Sequence, residues 1–133
     1  MQRWSFWIAG IAAAFLLLII FLADRGTLPG FIINLYAFPN GDKVGHFLLM
    51  GGVSFCANLA WAARRVHLWG WRPLLGSLLV ALAVTLEEFS QLLFATRTFD
   101  LLDLAASLGG IWLLGQAAAW LSDRFHHRVS IDD

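Results

Sequence analysis

The chain has 133 residues, of which 59% are hydrophobic and only 14% charged; nine basic side chains balance nine acidic ones. A soluble domain usually carries about 45–50% apolar and about 25% charged residues, so this composition, with a mean hydropathy of +0.71, excludes an ordinary soluble globule. Zero net charge argues against nucleic acid as a partner, and the single Cys56 excludes an intrachain disulfide and any cysteine-based zinc site.

Four apolar runs, roughly 4–23, 44–63, 74–94 and 101–121, each approach the length of about 20 residues that a spanning helix needs. With their short joints they use nearly the whole chain. The expected fold is therefore all-α: a single polytopic membrane domain, 1–133, with four transmembrane helices in an antiparallel bundle. In the first run, Trp7 to Ala23 exceeds the roughly 7–15 residues of a signal-peptide core, and no small-x-small site follows, so an uncleaved helix is expected. The first joint, Asp24 to Gly41, holds Phe31, Ile32, Ile33, Leu35, Tyr36 and Phe38, broken by Pro29, Gly30 and Pro39. It is too short to span and is expected to lie at the interface, as a partly re-entrant segment or a greasy loop.

The second run opens Asp42-Lys43-Val44-Gly45-His46. Asp42 and His46 are four apart and Lys43 and His46 three apart, so the three share a helix face. Structural roles compete with functional ones here: Asp42 suits a helix N-terminus and Lys43 can snorkel. His46 sits a turn further in and can serve as acid, base or ligand. The next joint, Arg64 to Arg72, is basic and rich in tryptophan, and Pro73 suits the first turn of a helix.

The third run ends Glu87-Glu88-Phe89-Ser90-Gln91. A carboxylate inside an apolar run must be protonated or paired. Lys43, His46 and Arg97 are the expected partners, and a buried ion pair joining runs two and three is the structural alternative to a site. The joint from Ala95 to Phe99 is very short, so runs three and four should be antiparallel neighbours. Run four opens Arg97-Thr98-Phe99-Asp100-Leu101-Leu102-Asp103, and Asp100, Asp103 and Ser107 follow i, i+3, i+7 spacing in one stripe. Asp100 reads as an N-cap; Asp103, a turn further in, has no such role. Small residues at four-residue spacing, Gly52 with Cys56, Ala105 with Gly109 and Ala106 with Gly110, permit close helix approach. The tail after Ser122 is expected to be a solvated end.

With the N-terminus inside, six of the nine Lys and Arg residues lie at cytoplasmic ends and Arg25, Lys43 and Arg97 at outer ones, so both termini should be cytoplasmic. Trp4, Trp7, Trp61, Trp69, Trp71 and Trp120 would mark the inner interface. Charges within apolar runs are rare and usually functional, and all three polar clusters then converge on the outer side. In that pocket His46, Glu88 and Asp103 are the candidate acid–base residues. Asp42, Lys43, Gln91, Arg97, Asp100 and Ser107 are the candidate ligand-binding residues, with Lys43 and Arg97 suited to an anionic group. His46, Glu88 and Asp103 would also offer three metal ligands. No HxxxH or HExxH pair supports that, so no metal or cofactor is expected. A serine triad through Ser90 or Ser107 is equally unsupported.

The pieces Asp42-Lys43-x-x-His46, Glu88-x-x-Gln91 and Arg97-x-x-Asp100-x-x-Asp103-x-x-x-Ser107-x-x-Gly110, in that order over roughly residues 40–115 with each cluster at a helix end, resemble the VanZ-like family of small bacterial membrane proteins. The chain departs from that pattern where Asp100 stands in place of a more usual Ser and Ser107 in place of Asn. The resemblance implies a four-helix, multi-pass protein of the bacterial inner membrane. It also implies lowered susceptibility to glycopeptides such as teicoplanin, through an envelope component, a lipid-linked cell-wall precursor or the drug itself. The alternative is an integral-membrane enzyme acting on a lipid-linked or cell-wall substrate with His46 or Glu88 as acid–base group. An ion pathway fits less well, because few polar residues stand in the cytoplasmic half. The intramembrane proteases of the abortive-infection type need an Arg four residues after the second Glu, where this chain has Leu92. The expected partners are thus membrane lipids and a lipid-linked cell-wall precursor or glycopeptide, and no oligomeric state follows from the sequence.

Overall fold

The computed structural model describes residues 6–7, 10–11, 14–15, 17–19, 21–22, 25–27, 29–35, 37–93 and 99–129. Among them the fold is all-α with no strand: α1 (Gly30–Leu35), α2 (Gly41–Ala60), α3 (Leu75–Gln91) and α4 (Leu101–Val129). The described residues of the first apolar run, Phe6, Gly10, Phe15 and Phe21 among them, are helical too. The rest of that run lies outside the described residues, and so do Tyr36, Arg97 and the side chains of Gln91 and Arg128.

The packing is centred on α2 and α4, with α3 against both. Two glycines set how closely α2 and α4 approach. A Cβ on Gly51 would come within 2.8 Å of the Gly110 carbonyl oxygen, and a Cβ on Gly110 would run into the Phe47 carbonyl. The Ala106–Gly110 spacing thus marks a packing seam inside the monomer. On α2 the seam uses buried Gly51 rather than Gly52. A small apolar cluster of Val84, Leu104 and Ile111, flanked by Met50, Val80 and Phe99, fills the space between α3 and its neighbours.

Among the described residues, polar side chains share the interior with Val53, Leu74, Val84, Leu104 and Ile111, while many large apolar side chains lie outside. Ser54, Asn58, Glu88, Ser107 and Ser122 are buried, whereas Leu79, Leu82, Leu86, Leu101, Leu113 and Trp112 are exposed. Of the described helices, the stretch Leu101–Arg124 alone is long and apolar enough to cross a membrane. With 17 residues, α3 extends about 26 Å at about 1.5 Å per residue, short of the roughly 30 Å hydrocarbon layer. The 20 residues of α2 include Asp42 and Lys43 in the first turn.

The helix bounds and one joint differ from the expected runs. α2 starts at Gly41, because Asn40 takes a left-handed conformation (φ 62°) that turns the chain into the helix. α4 continues to Val129 through the segment expected as a solvated tail. Hydropathy reports what a helix faces, and Asp123 and Arg124 carry no penalty that stops one. The basic joint folds back on itself through antiparallel bridges pairing Arg65 with Leu74 and Leu68 with Trp71. Its two turn residues, Trp69 and Gly70, both have positive φ, as a two-residue type I′ hairpin turn requires.

Candidate functional site

α2 and α4 run in the same direction, so their N-termini lie together beside the end of α3. Lys43, in the first turn of α2, reaches across to α4. Its Nζ donates to Asp103 Oδ1 at 3.0 Å, to Asp100 Oδ2 at 3.4 Å and to neighbouring Asp42 Oδ2 at 3.0 Å. The other Asp103 oxygen faces His46, with Nε2 3.8 Å from Oδ2. Asp103 therefore sits between ammonium and imidazole, with 19% of its side chain exposed against 38% for His46. The gap to His46 exceeds hydrogen-bonding distance and leaves the imidazole reachable.

Asp100 holds the start of α4. Its Oδ1 accepts the Leu102 backbone N–H at 2.8 Å, which is the N-cap bond its position implies. Its own N–H donates to Glu88 Oε1 at 3.1 Å. Glu88 is 4% exposed, so this carboxylate ties the end of α3 to the beginning of α4. The Leu102 N–H first, and Lys43 next, hold the Asp100 carboxyl below its ordinary pKa. Lys43 does the same for Asp42, and the bonds to Asp103 and then Asp42 raise the Lys43 ammonium above its own. All three groups precede the apolar runs.

Several expectations change in this geometry. Asp42 does not cap α2: Asn40 holds the cap position without a side-chain bond, and Asp42 lies in the first turn, largely exposed. Among the described residues, the helix-joining ion pair is Lys43 with Asp103, which links α2 to α4. Glu87 is exposed and Glu88 is the buried one, because adjacent residues lie about 100° apart around a helix. Lys43, expected to hold an anion, already has three carboxylates around it. The described part of the site is thus acid-rich. Ser107 is buried one turn below Asp103, and Arg97 and the Gln91 side chain lie outside the described residues. Among the described residues no group of three His, Cys, Asp or Glu side chains is arranged to hold a metal ion, so His46, Glu88 and Asp103 do not form the metal set considered above.

A second polar cluster escaped the sequence reading. Asn58 Nδ2 donates to the Ser54 carbonyl at 2.9 Å and to Ser77 Oγ at 2.8 Å. Ser54 Oγ donates to the Ile111 carbonyl at 3.0 Å and lies 3.0 Å from Ser77 Oγ. Gly76 and Gly115 leave room for these groups, since a Cβ on either would strike Asn58 or Ser77. The available signal was Ser54 and Asn58 at four-residue spacing within an apolar run, a pattern that bonds helices across a dry interface.

No family model, no curated protein and no solved structure matches this chain.

Proposed function

We propose that the chain is a VanZ-like protein of the bacterial inner membrane: a four-span antiparallel bundle with both termini cytoplasmic and the Lys43 site facing outward. In this reading it lowers susceptibility to glycopeptide antibiotics by binding an envelope component or the drug, without catalysis. The observation that carries the reading is the convergence of three separated motif pieces. Lys43 contacts Asp42, Asp100 and Asp103 within 3.4 Å, His46 lies 3.8 Å from Asp103, and Glu88 is bonded to the Asp100 backbone. The many large apolar side chains on the exterior support the membrane setting, because a lipid solvent removes the reason to hide leucine and tryptophan. Because the carboxylates outnumber the ammonium, the ligand group that fits the described site is an amine or another hydrogen-bond donor.

The test is teicoplanin susceptibility of cells expressing the chain. Wild type should raise the inhibitory concentration, and His46→Ala and Asp103→Asn should return it to the level of empty cells at equal membrane abundance. Unchanged susceptibility with wild type removes the resistance reading.

One observation favours the enzyme alternative. Asp103 stands beside His46 where a carboxylate would orient a general base. Turnover of a lipid-linked precursor by purified protein, lost in His46→Ala, would select it.

A further inference from the structure

The end of the bundle opposite Lys43 has its own chemistry. Arg65 Nη1 donates to the Arg72 carbonyl at 3.1 Å and Nη2 to Gln116 Oε1 at 3.5 Å, so this guanidinium bridges the 64–74 joint and α4. Beside it a crevice of about 190 Å³ opens between α3 and α4. Arg65, Arg72, Ser77 and Gln116 supply its polar lining; Ala81, Leu108, Ile111 and Trp112 supply much of the apolar lining. Gln116, Trp112 and Leu108 succeed one another in four-residue steps along α4. The lining thus turns from polar to apolar within about 12 Å, at about 1.5 Å per residue. No acidic side chain lines the crevice, and among the described residues Arg64, Arg65 and Arg72 form no ion pair. Trp69 and Trp71 stand exposed on the same joint, as tryptophans do at headgroup level.

We infer that this crevice holds one anionic glycerophospholipid, its phosphate on Arg65 and Arg72 and the start of one acyl chain along Ala81, Leu108 and Trp112. Two guanidiniums bind a phosphate through charge-assisted forked bonds, and basic pockets between membrane helices take anionic headgroups. A free phosphate would leave the apolar part unfilled. An apolar space of about 150 Å³ is enough for a benzene ring, so 190 Å³ takes a short length of chain and the remaining tail follows the apolar outer surface. The inference rests on the membrane reading given above, and concerns the opposite end of the bundle from its ligand site.

The test is native mass spectrometry of the full chain, delipidated in detergent and offered equal amounts of dioleoylphosphatidylglycerol and dioleoylphosphatidylcholine. One phosphatidylglycerol per chain should be retained with a preference of about thirtyfold, in line with two arginines at an anionic surface. Arg65→Gln/Arg72→Gln should abolish the preference. Ala81→Leu, which fills the crevice and keeps both arginines, should lower retention of both lipids. Arg124→Gln, a charge change elsewhere on the same end, should leave both unaltered. Equal retention of the two lipids by wild type, an equal loss in Arg124→Gln, or full displacement by tail-free glycerophosphoglycerol overturns the inference. Alkaline carbonate extraction of membranes separates the two ideas. A chain released by carbonate defeats the membrane reading and the inference with it; a retained chain that does not distinguish the lipids defeats the inference alone.

Discussion

Lys43 decides the electrostatics of the Asp42–Asp103 site, because it is the cation that three carboxylates share. Lys43→Met and Asp103→Asn should each lower the thermal midpoint. The double variant should fall short of the sum, since the two changes remove one shared interaction; full additivity in a thermal melt would deny the coupling. The pH dependence follows from the directions of the shifts. The Asp42 and Asp100 carboxyls are held below their ordinary pKa, so their contribution is complete above about pH 4 and fades as pH falls below it. The Lys43 ammonium is held above its ordinary value, so its contribution is complete below about pH 10 and fades only at higher pH. The difference in midpoint between wild type and Lys43→Met should therefore be level from about pH 5 to 9 and shrink below about pH 4. Asn58 is the other residue with a sharp expectation. It is fully buried and bonds both Ser54 and Ser77, so Asn58→Ala should cost about 1–3 kcal/mol in denaturant unfolding.

At the scale of elements, the approach of α2 to α4 depends on backbone meeting backbone at Gly110. Gly110→Ala drives a Cβ into the Phe47 carbonyl, where no side chain can yield. It should destabilise by about 1–3 kcal/mol or more. Gly109→Ala, whose Cβ would meet the Phe47 ring at an ordinary 3.7 Å, should be neutral or gain up to about 1 kcal/mol of helix propensity. Unfolding of the two variants side by side checks the pair. The sequence showed both glycines at equivalent spacing and could not rank them, because which face of α4 meets α2 is a property of the packed pair. The helices themselves were legible for the reason hydropathy works: each long apolar run must satisfy its own backbone, and a helix does so locally. Their ends were less legible, since Asn40 and the Trp69–Gly70 turn act through backbone conformation rather than composition.

For the molecule as a whole, the proposed orientation predicts topology. A phosphatase reporter inserted near Gly26 should be active outside the cell, and one at Gly70 inactive, with a cytoplasmic fluorescent reporter giving the opposite pattern. Activity at Gly70 would invert the bundle and turn the Lys43 site toward the cytoplasm. Within the described residues one helix passes the length and hydropathy test for a span, so the number of crossings is what such a map would establish. Buried polar side chains occur along the whole described bundle, from Glu88 near the Lys43 end to Ser122 at the other, among apolar ones such as Leu104 and Ile111.

Composition and periodicity by themselves determined the all-α class, the positions of the three long described helices and the convergence of polar clusters at one end. These follow from local rules, an apolar run's need for internal hydrogen bonds and the up-and-down order that short joints impose. Only the tertiary structure decided what the clustered residues do to one another. It made Asp103 the shared partner of Lys43 and His46, turned Glu88 into a clasp on the Asp100 backbone, and left Glu87 at the surface. It also assembled Ser54, Asn58 and Ser77 into a buried network and set Arg65 beside the α3–α4 crevice. Those outcomes depend on helix rotation and on distances between segments far apart in the chain. Spacing along a single helix carries neither.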